Sequence, residues 1–263
     1  MPRLAVLGHP VSHSRSPAMQ NAALGGLELW DWSYEAIDVA PELFAAKVRE
    51  MAAGDYAGAN VTVPHKQAAL AIADEASEAS QQIGAANTLV FAAEGIEAHN
   101  TDADGLLAAL PDPPRGRRVL LLGAGGAARA ALWALLWEGA KVDVWNRTAE
   151  RAAEICEELG GDPVAQPDQS EYDLIVNTSA AGLRGEDPFE HLPLSPDRFA
   201  EPQVVVDMVY GERRSPLLVA AEGAGAATVD GLEILVQQGA RSLEIWTGCE
   251  PALDVMRRGA ARR

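Results

Sequence analysis

RRVLLLGAGGAARAALWALLWEGAKVDVWNRTAERA, residues 117–152, holds the pattern that decides the fold. An apolar strand runs directly into Gly123-Ala124-Gly125-Gly126-Ala127-Ala128, which opens a long helix ending at Gly139, and the strand KVDVW follows. This is G-x-G-x-x-G/A in its strand–turn–helix–strand setting. Gly123 permits the tight turn, Gly125 leaves room for a pyrophosphate against the backbone, and Ala128 lets helix and sheet pack closely. The helix N-terminus, with Gly126 and Ala127 in its first turn, offers free N–H groups and a partial positive charge to phosphates. The alternative is a merely structural glycine turn.

The end of the second strand selects the dinucleotide. A site for NAD usually places an acid there, on the ribose hydroxyls. Here the strand ends Trp145-Asn146-Arg147-Thr148, with Arg151 one turn on. Two guanidiniums suit a 2′-phosphate, and Asn146 and Thr148 add neutral hydrogen bonds, so the expected cofactor is NADP. Thr148 also suits a helix N-cap, and capping is compatible with phosphate binding. Farther on, EYDLIVNTSAAGL (171–183) and QVVVDMVYG (203–211) read as apolar strands ending in polar loops. In an open α/β sheet those ends line the ligand crevice, which makes Asn177, Thr178 and Met208 candidate cofactor neighbours; each also suits a turn or core filler.

The first half has the same alternation. LAVLG (4–8), residues 32–39 and AGANVTV (57–63) read as strands, SPAMQNAALGGL (16–27) and PELFAAKVREMAA (41–53) as helices, and 86–100 as a hairpin. Such alternation predicts mostly parallel sheet covered by helices. The Pro- and charge-rich PDPPRGRR (111–118) precedes the second series.

Bulk properties bound the function. At 263 residues the chain has room for two domains of ordinary size. No apolar run approaches the roughly 20 residues of a membrane helix, and MPRLAVLGHP lacks a signal-peptide pattern, so a cytoplasmic protein is expected. A formal charge of −17 argues against nucleic-acid and anionic-membrane partners. Cys156 and Cys249 lack metal-type spacing, no metal is expected, and Cys156 reads as a buried structural thiol. Only Lys47, Lys66 and Lys141 are lysines, against 18 arginines.

A nicotinamide enzyme needs a group to move the proton that accompanies the hydride. Lys66, in ANVTVPHKQAAL (59–70), stands at a helix start, where an ammonium faces the positive end of the dipole. An opposing carboxylate makes that position acceptable. Asp102, in AHNTDADG (98–105), is the candidate, and a helix N-cap is its simpler reading. Lys66 likewise has a bland reading as a solvated helix-start lysine.

GHPVSHSRSP (8–17), NVTVPHK (60–66), GAANT (84–88), NTDADG (100–105), GAGGAARA, NRT, DMVY and LVQQGA (235–240) together resemble the shikimate dehydrogenase family, in the family's order and over nearly the whole chain. The resemblance implies reversible NADPH-dependent reduction of 3-dehydroshikimate to shikimate in aromatic amino-acid biosynthesis. It implies that Lys66 and Asp102 form the catalytic pair, that Ser14 and Ser16 bind the substrate carboxylate, and that Thr62, Asn87 and Asp102 hold the ring hydroxyls. Tyr210 and Gln238 match further substrate-side positions, and Gly231 a backbone position beside the nicotinamide. Capping before Pro17 is the other reading of the two serines. Departures are GERRSPLL (211–218), where Asn-Pro and Thr-Pro are usual, and Leu183, where methionine is commoner.

The expected architecture is two α/β domains flanking a cleft, the second a Rossmann-type NADP-binding domain. Residues 1–101 with 236–263 would form the substrate-binding and catalytic domain, and 102–235 the NADP domain. A homodimer is one of the oligomeric states left open. Three alternatives remain: a relative that accepts quinate, a different two-domain dehydrogenase such as a methylenetetrahydrofolate enzyme, and a catalytically silent NADP-binding regulator.

Overall fold

The computed structural model describes residues 1–183, 185–211 and 213–262. Glu212 of the 211–218 loop and Arg263 of the expected substrate domain lie outside the described residues. The chain forms two compact units, Met1–Gly105 with Leu235–Arg263, and Leu106–Ile234.

The first unit contains β1 (Arg3–Gly8), α1 (Ser16–Gly26), β2 (Ser33–Asp38), α2 (Phe44–Ala52), β3 (Tyr56–Val61), α3 (Lys66–Ile72), β4 (Glu75–Ala76), α4 (Glu78–Ile83), β5 (Thr88–Ala92), β6 (Gly95–His99) and the start of α5 (Asp102–Ala109). Its sheet has the order β2-β1-β3-β5-β6-β4. Strands β2, β1 and β3 run parallel, while the β5–β6 hairpin pairs antiparallel with β3. Two expected elements are shorter than read: residues 41–43 form a 3-10 turn before α2, and β3 stops at Val61. Pro64 has no N–H to extend a ladder, and Thr62 turns its own N–H to the Leu7 carbonyl as the chain leaves the sheet. The core packs Leu7, Phe44, Val48, Met51, Val61 and Leu89 together.

The second unit contains β7 (Arg118–Leu122), α6 (Gly126–Trp137), β8 (Lys141–Trp145), α7 (Ala149–Leu159), β9 (Asp162–Pro163), β10 (Leu174–Asn177), β11 (Val204–Asp207), α8 (Pro216–Gly223) and β12 (Ala227–Asp230). Its sheet, β12-β11-β10-β7-β8-β9, is parallel at every pairing. Successive strand residues face opposite sides, so β7 sends Val119 and Leu121 into one apolar cluster and Leu120 and Leu122 into another. Burial on both faces is why these strands are continuous apolar runs. The order reverses between β7 and β10, and the carboxyl ends at such a switch point are where an open α/β sheet binds ligands.

Helices α9 (Gly231–Thr247) and α10 (Leu253–Ala261) complete the fold. The unit boundaries fall inside α5 and α9, not in loops. No described helix is long and apolar enough to cross a membrane, and no described cluster of His, Cys, Asp or Glu is arranged to hold a metal ion. Cys156 is buried in α7, where burial pushes its thiol up to about 11.

Candidate active site

In the first unit, α3 opens at Lys66 immediately after the Val63–Pro64 turn. His65, just before it, stacks on Phe44 at 4.4 Å between centroids and sets Nε2 2.7 Å from the Val39 carbonyl. The Lys66 position is therefore fixed by its neighbour's packing. Its Nζ donates to Asp102 Oδ2 at 2.5 Å, and both side chains are largely buried, 11% and 8% exposed. An ammonium at a helix N-terminus loses stability to the dipole, and a buried carboxylate at this distance offsets that loss.

Asp102 does not cap α5. It is the first residue of that helix, and Oδ1 accepts from Asn87 Nδ2 at 2.9 Å while Oδ2 takes Lys66. Its own N–H turns back to Asn100 Oδ1 at 3.1 Å. Asp104 is the exposed acid of the first turn, 3.9 Å from Arg241.

Asn87 and Gln238 join the pair. Asn87 Nδ2 also lies 3.1 Å from Gln238 Oε1, and Gln238 Nε2 donates to the Leu235 carbonyl one turn back along α9. Behind them lies a set of polar side chains that sequence reasoning missed: Asn60, Thr88, Thr101 and Ser242 are all buried and mutually hydrogen-bonded. Asn60, Thr88 and Thr101 lie within the strings NVTVPHK, GAANT and NTDADG, but the only sign of this network is polarity at core-facing positions.

Neither expected serine caps α1. Arg15 occupies the N-cap position without a side-chain cap bond, and Ser14 Oγ accepts from the Ser16 N–H at 3.2 Å. Ser16 is buried, and its hydroxyl, like that of Thr62, has no hydrogen-bond partner among the described residues. Thr62 packs its methyl group against Gly8, where a Cβ would come within 2.5 Å. Arg15 points elsewhere, to the Ala260 carbonyl of α10 at 3.2 Å.

In the second unit the glycine turn sits at the switch point. Gly123 has φ +119, and a Cβ there would lie 2.6 Å from Thr178 Oγ1. Thr178 in turn sends both N–H and Oγ1 to the Leu122 carbonyl, each at 2.9 Å, so it braces the turn from β10. Gly125 is the N-cap of α6, and a Cβ there would meet nothing within 4 Å. The turn thus presents bare backbone, including the N–H groups of Gly126 and Ala127 in the first turn of α6, toward open space. That arrangement fits a dinucleotide pyrophosphate.

At the end of β8, Asn146 Nδ2 donates to the Thr148 carbonyl at 2.9 Å. Thr148 stands at the N-cap of α7, yet its hydroxyl makes no cap bond. Arg147 and Arg151 are exposed, and neither guanidinium has an ion-pair partner among the described residues. Among the described residues no carboxylate holds either arginine, and unpaired guanidiniums suit the extra phosphate of NADP.

Other candidates are placed differently. Asn177 is fully buried and spends its amide internally, donating to Asp207 Oδ1 at 2.9 Å and accepting from Ser179 N–H and Oγ. It ties the ends of β10 and β11 together. Burial raises the Asp207 carboxyl above its ordinary range, against donors from Ser215, the Val209 N–H and Asn177. Met208 and Tyr210 follow β11, both half-buried, and Met208 N–H donates to the Asn177 carbonyl. Gly231 opens α9 against the Met208 carbonyl, where a Cβ would come within 2.6 Å.

A buried lysine–carboxylate pair in one α/β unit and a phosphate turn with free arginines in the other define a class, the dinucleotide-linked oxidoreductases of two α/β units. Similarity narrows it. Residues 6–89 match the shikimate dehydrogenase substrate binding domain, 109–180 the shikimate/quinate 5-dehydrogenase model, and 231–258 the shikimate 5′-dehydrogenase C-terminal domain. The chain is 40% identical to shikimate dehydrogenase (NADP(+)) of Methanopyrus kandleri, covering 97% of this chain and 93% of that one. It is 43% identical to the enzyme of that name from Anaeromyxobacter sp. strain K, over 98% and 95%. The structure of shikimate 5-dehydrogenase from Thermus thermophilus, in complex with NADP(H) and shikimate, superposes with TM-score 0.90 at 40% identity, over 99% of this chain and 98% of that one. The chain belongs to the shikimate dehydrogenase family.

Proposed function

We propose that the protein interconverts 3-dehydroshikimate and shikimate, using NADP. The observation that carries this reading is the Lys66 Nζ–Asp102 Oδ2 contact at 2.5 Å, buried beside Asn87 and Gln238. NADP, when bound, supplies or accepts the hydride. The Gly123–Ala127 turn would hold its pyrophosphate, Asn146, Arg147, Thr148 and Arg151 its 2′-phosphate side, and Thr178, Met208 and Gly231 its remaining neighbourhood.

During reduction Lys66 delivers a proton from Nζ to the substrate's carbonyl oxygen, and in the other direction it takes the hydroxyl proton back. Asp102 keeps the ammonium aimed and accepts a hydrogen bond from the substrate's hydroxyl. The free hydroxyls of Ser16 and Thr62, with Ser14, meet the carboxylate and ring hydroxyl side; Asn87, Gln238 and Tyr210 complete the polar contacts. A site built to satisfy several hydroxyls rejects analogues that leave a buried partner unpaired. The unit Met1–Gly105 with Leu235–Arg263 serves the substrate, and Leu106–Ile234 serves NADP. The same reading gives a cytoplasmic biosynthetic enzyme, with a homodimer as the assembly to test by light scattering. It gives no nucleic-acid or membrane partner, in keeping with a charge of −17.

Initial rates with shikimate and quinate, each crossed with NADP and NAD, test the reading. Turnover is expected with shikimate and NADP, and Lys66→Ala should lower it by about 10²–10⁴-fold while NADP still binds. Equal rates with quinate would move the assignment to a broader polyol dehydrogenase. NADP binding without turnover on any pair would overturn it.

A further inference from the structure

Four hydrogen bonds run in one direction beneath the Lys66–Asp102 pair. Tyr34 OH lies 2.7 Å from Asn60 Oδ1; Asn60 Nδ2 is 3.1 Å from Thr88 Oγ1; Thr88 Oγ1 is 3.1 Å from Asn87 Oδ1; and Asn87 Nδ2 is 2.9 Å from Asp102 Oδ1. The direction is dictated by backbone groups. Asn60 must turn its NH₂ toward the Asn87 main-chain carbonyl at 3.1 Å, because a carbonyl only accepts. Asn87 must turn its side-chain oxygen toward the Thr101 N–H at 2.8 Å, because an N–H only donates. Thr88, held between an NH₂ and a carbonyl oxygen, accepts from Asn60 and can donate to Asn87 Oδ1 at 3.1 Å, with Ser242 Oγ at 2.8 Å the other acceptor within reach of its one proton. All five side chains are buried, so water does not substitute for a missing member.

We propose that Thr88, with Asn60 and Tyr34 behind it, is a positioning residue for the catalytic pair. Each donor polarises the next, and the run ends on a carboxylate that must stay anionic and fixed to aim the Lys66 ammonium. Thr88 sits in β5 with a β-branched side chain suited to any strand, which conceals this second task.

Thr88→Val tests the relay because it removes the hydroxyl and keeps the shape. Asn60 Nδ2 retains Ser242 Oγ at 2.9 Å, and Asn87 Oδ1 retains the Thr101 N–H, so neither amide is orphaned. The kinetic arm rests on the shikimate dehydrogenase reading. There kcat should fall about tenfold, the size of one hydrogen bond's net contribution, with KM for NADP unchanged and Thr88→Ser restoring most of the rate.

The second arm is independent of any substrate. Competitive acetylation, read by mass spectrometry, compares Lys66 with the chain's two other lysines, Lys47 and Lys141. A loosened Asp102 leaves Lys66 more reactive, so its labelling should rise about threefold in Thr88→Val, less than the full loss of one hydrogen bond would allow, with the references unchanged. Unchanged Lys66 labelling would overturn the relay, as would a kcat loss that serine fails to rescue. If wild-type protein does not turn over shikimate, the function fails and the labelling result alone decides the relay. If Thr88→Val does not fold, Tyr34→Phe carries the same labelling test, with the same sign expected and the same null result fatal.

Discussion

His65 shows how much a single residue next to a reactive one is asked to do. Its ring stacks on Phe44, its Nε2 meets the Val39 carbonyl, and it stands one residue before Lys66. Burial holds its pKa below the usual histidine range. The unfolded chain takes up the proton near pH 6.5 while the folded chain resists, so the stability His65 contributes is complete above about 6.5 and is lost as the pH falls through its folded value. Unfolding free energies of wild type and His65→Gln, which keeps a donor for Val39, should therefore converge between pH 7 and pH 5. Each unit of pKa depression is worth about 1.4 kcal/mol, which sets the size of the convergence. Parallel curves, measured by denaturant titration at each pH, would show that His65 titrates freely. Lys66 and Asp102 were legible as residues because their strings are distinctive. Their partners Thr88, Asn60 and Ser242 were not, because orientation of amides and hydroxyls depends on backbone groups brought together from β3, β5 and α9.

At the scale of elements, the strand–turn–helix from β7 to α6 separates two uses of glycine. Gly123 needs its positive φ and lies against Thr178, whereas Gly125 is an extended N-cap with open space where a side chain would be. Gly123→Ala should thus cost about 1–3 kcal/mol of stability. Gly125→Val should leave the thermal midpoint within a few degrees and weaken NADP binding on the order of a hundredfold, since it fills the approach to the α6 N-terminus. Calorimetric titration with NADP beside thermal unfolding separates the two, and an equal loss of stability in both variants would contradict the distinction. This motif was readable because every part of it is local. Capping, the other reading of the two serines, is not local in this way. Whether Ser14 or Ser16 caps α1 depends on the path into the helix, and that path puts Arg15 at the cap with its guanidinium on α10.

The whole molecule carries a formal charge of −17, and arginines supply most of its cations. Several of them are committed to exposed carboxylates, as Arg118 is to Glu171, and Arg198 to Asp168. Exposed pairs contribute little, about 0–1 kcal/mol each, whereas uncompensated like charge acts against the folded state at longer range. Thermal stability at pH 7 should accordingly rise by a few degrees as sodium chloride goes from about 10 to 300 mM, because screening shortens that repulsion to a few ångströms. A midpoint that falls instead would mean the surface ion pairs dominate. Alternation of elements made both α/β units legible, but the boundaries within α5 and α9 were not, since a helix continuing across a boundary has no break in its periodicity.

The Gly123 N–H is tied to the Trp145 carbonyl at 2.8 Å, and Arg147 follows two residues after Trp145. The phosphate turn and the arginine end of β8 are thereby held at one spacing, like the jaws of a caliper. A ligand whose two phosphate groups match that span binds as a chelate, the second contact forming at an effective concentration in the millimolar range. A fragment carrying one phosphate loses its full positional entropy for a single grip. On the proposed reading, in which the turn holds the pyrophosphate and Arg147 the 2′-phosphate, the unit would sort dinucleotides by the length between their phosphates as well as by their charge.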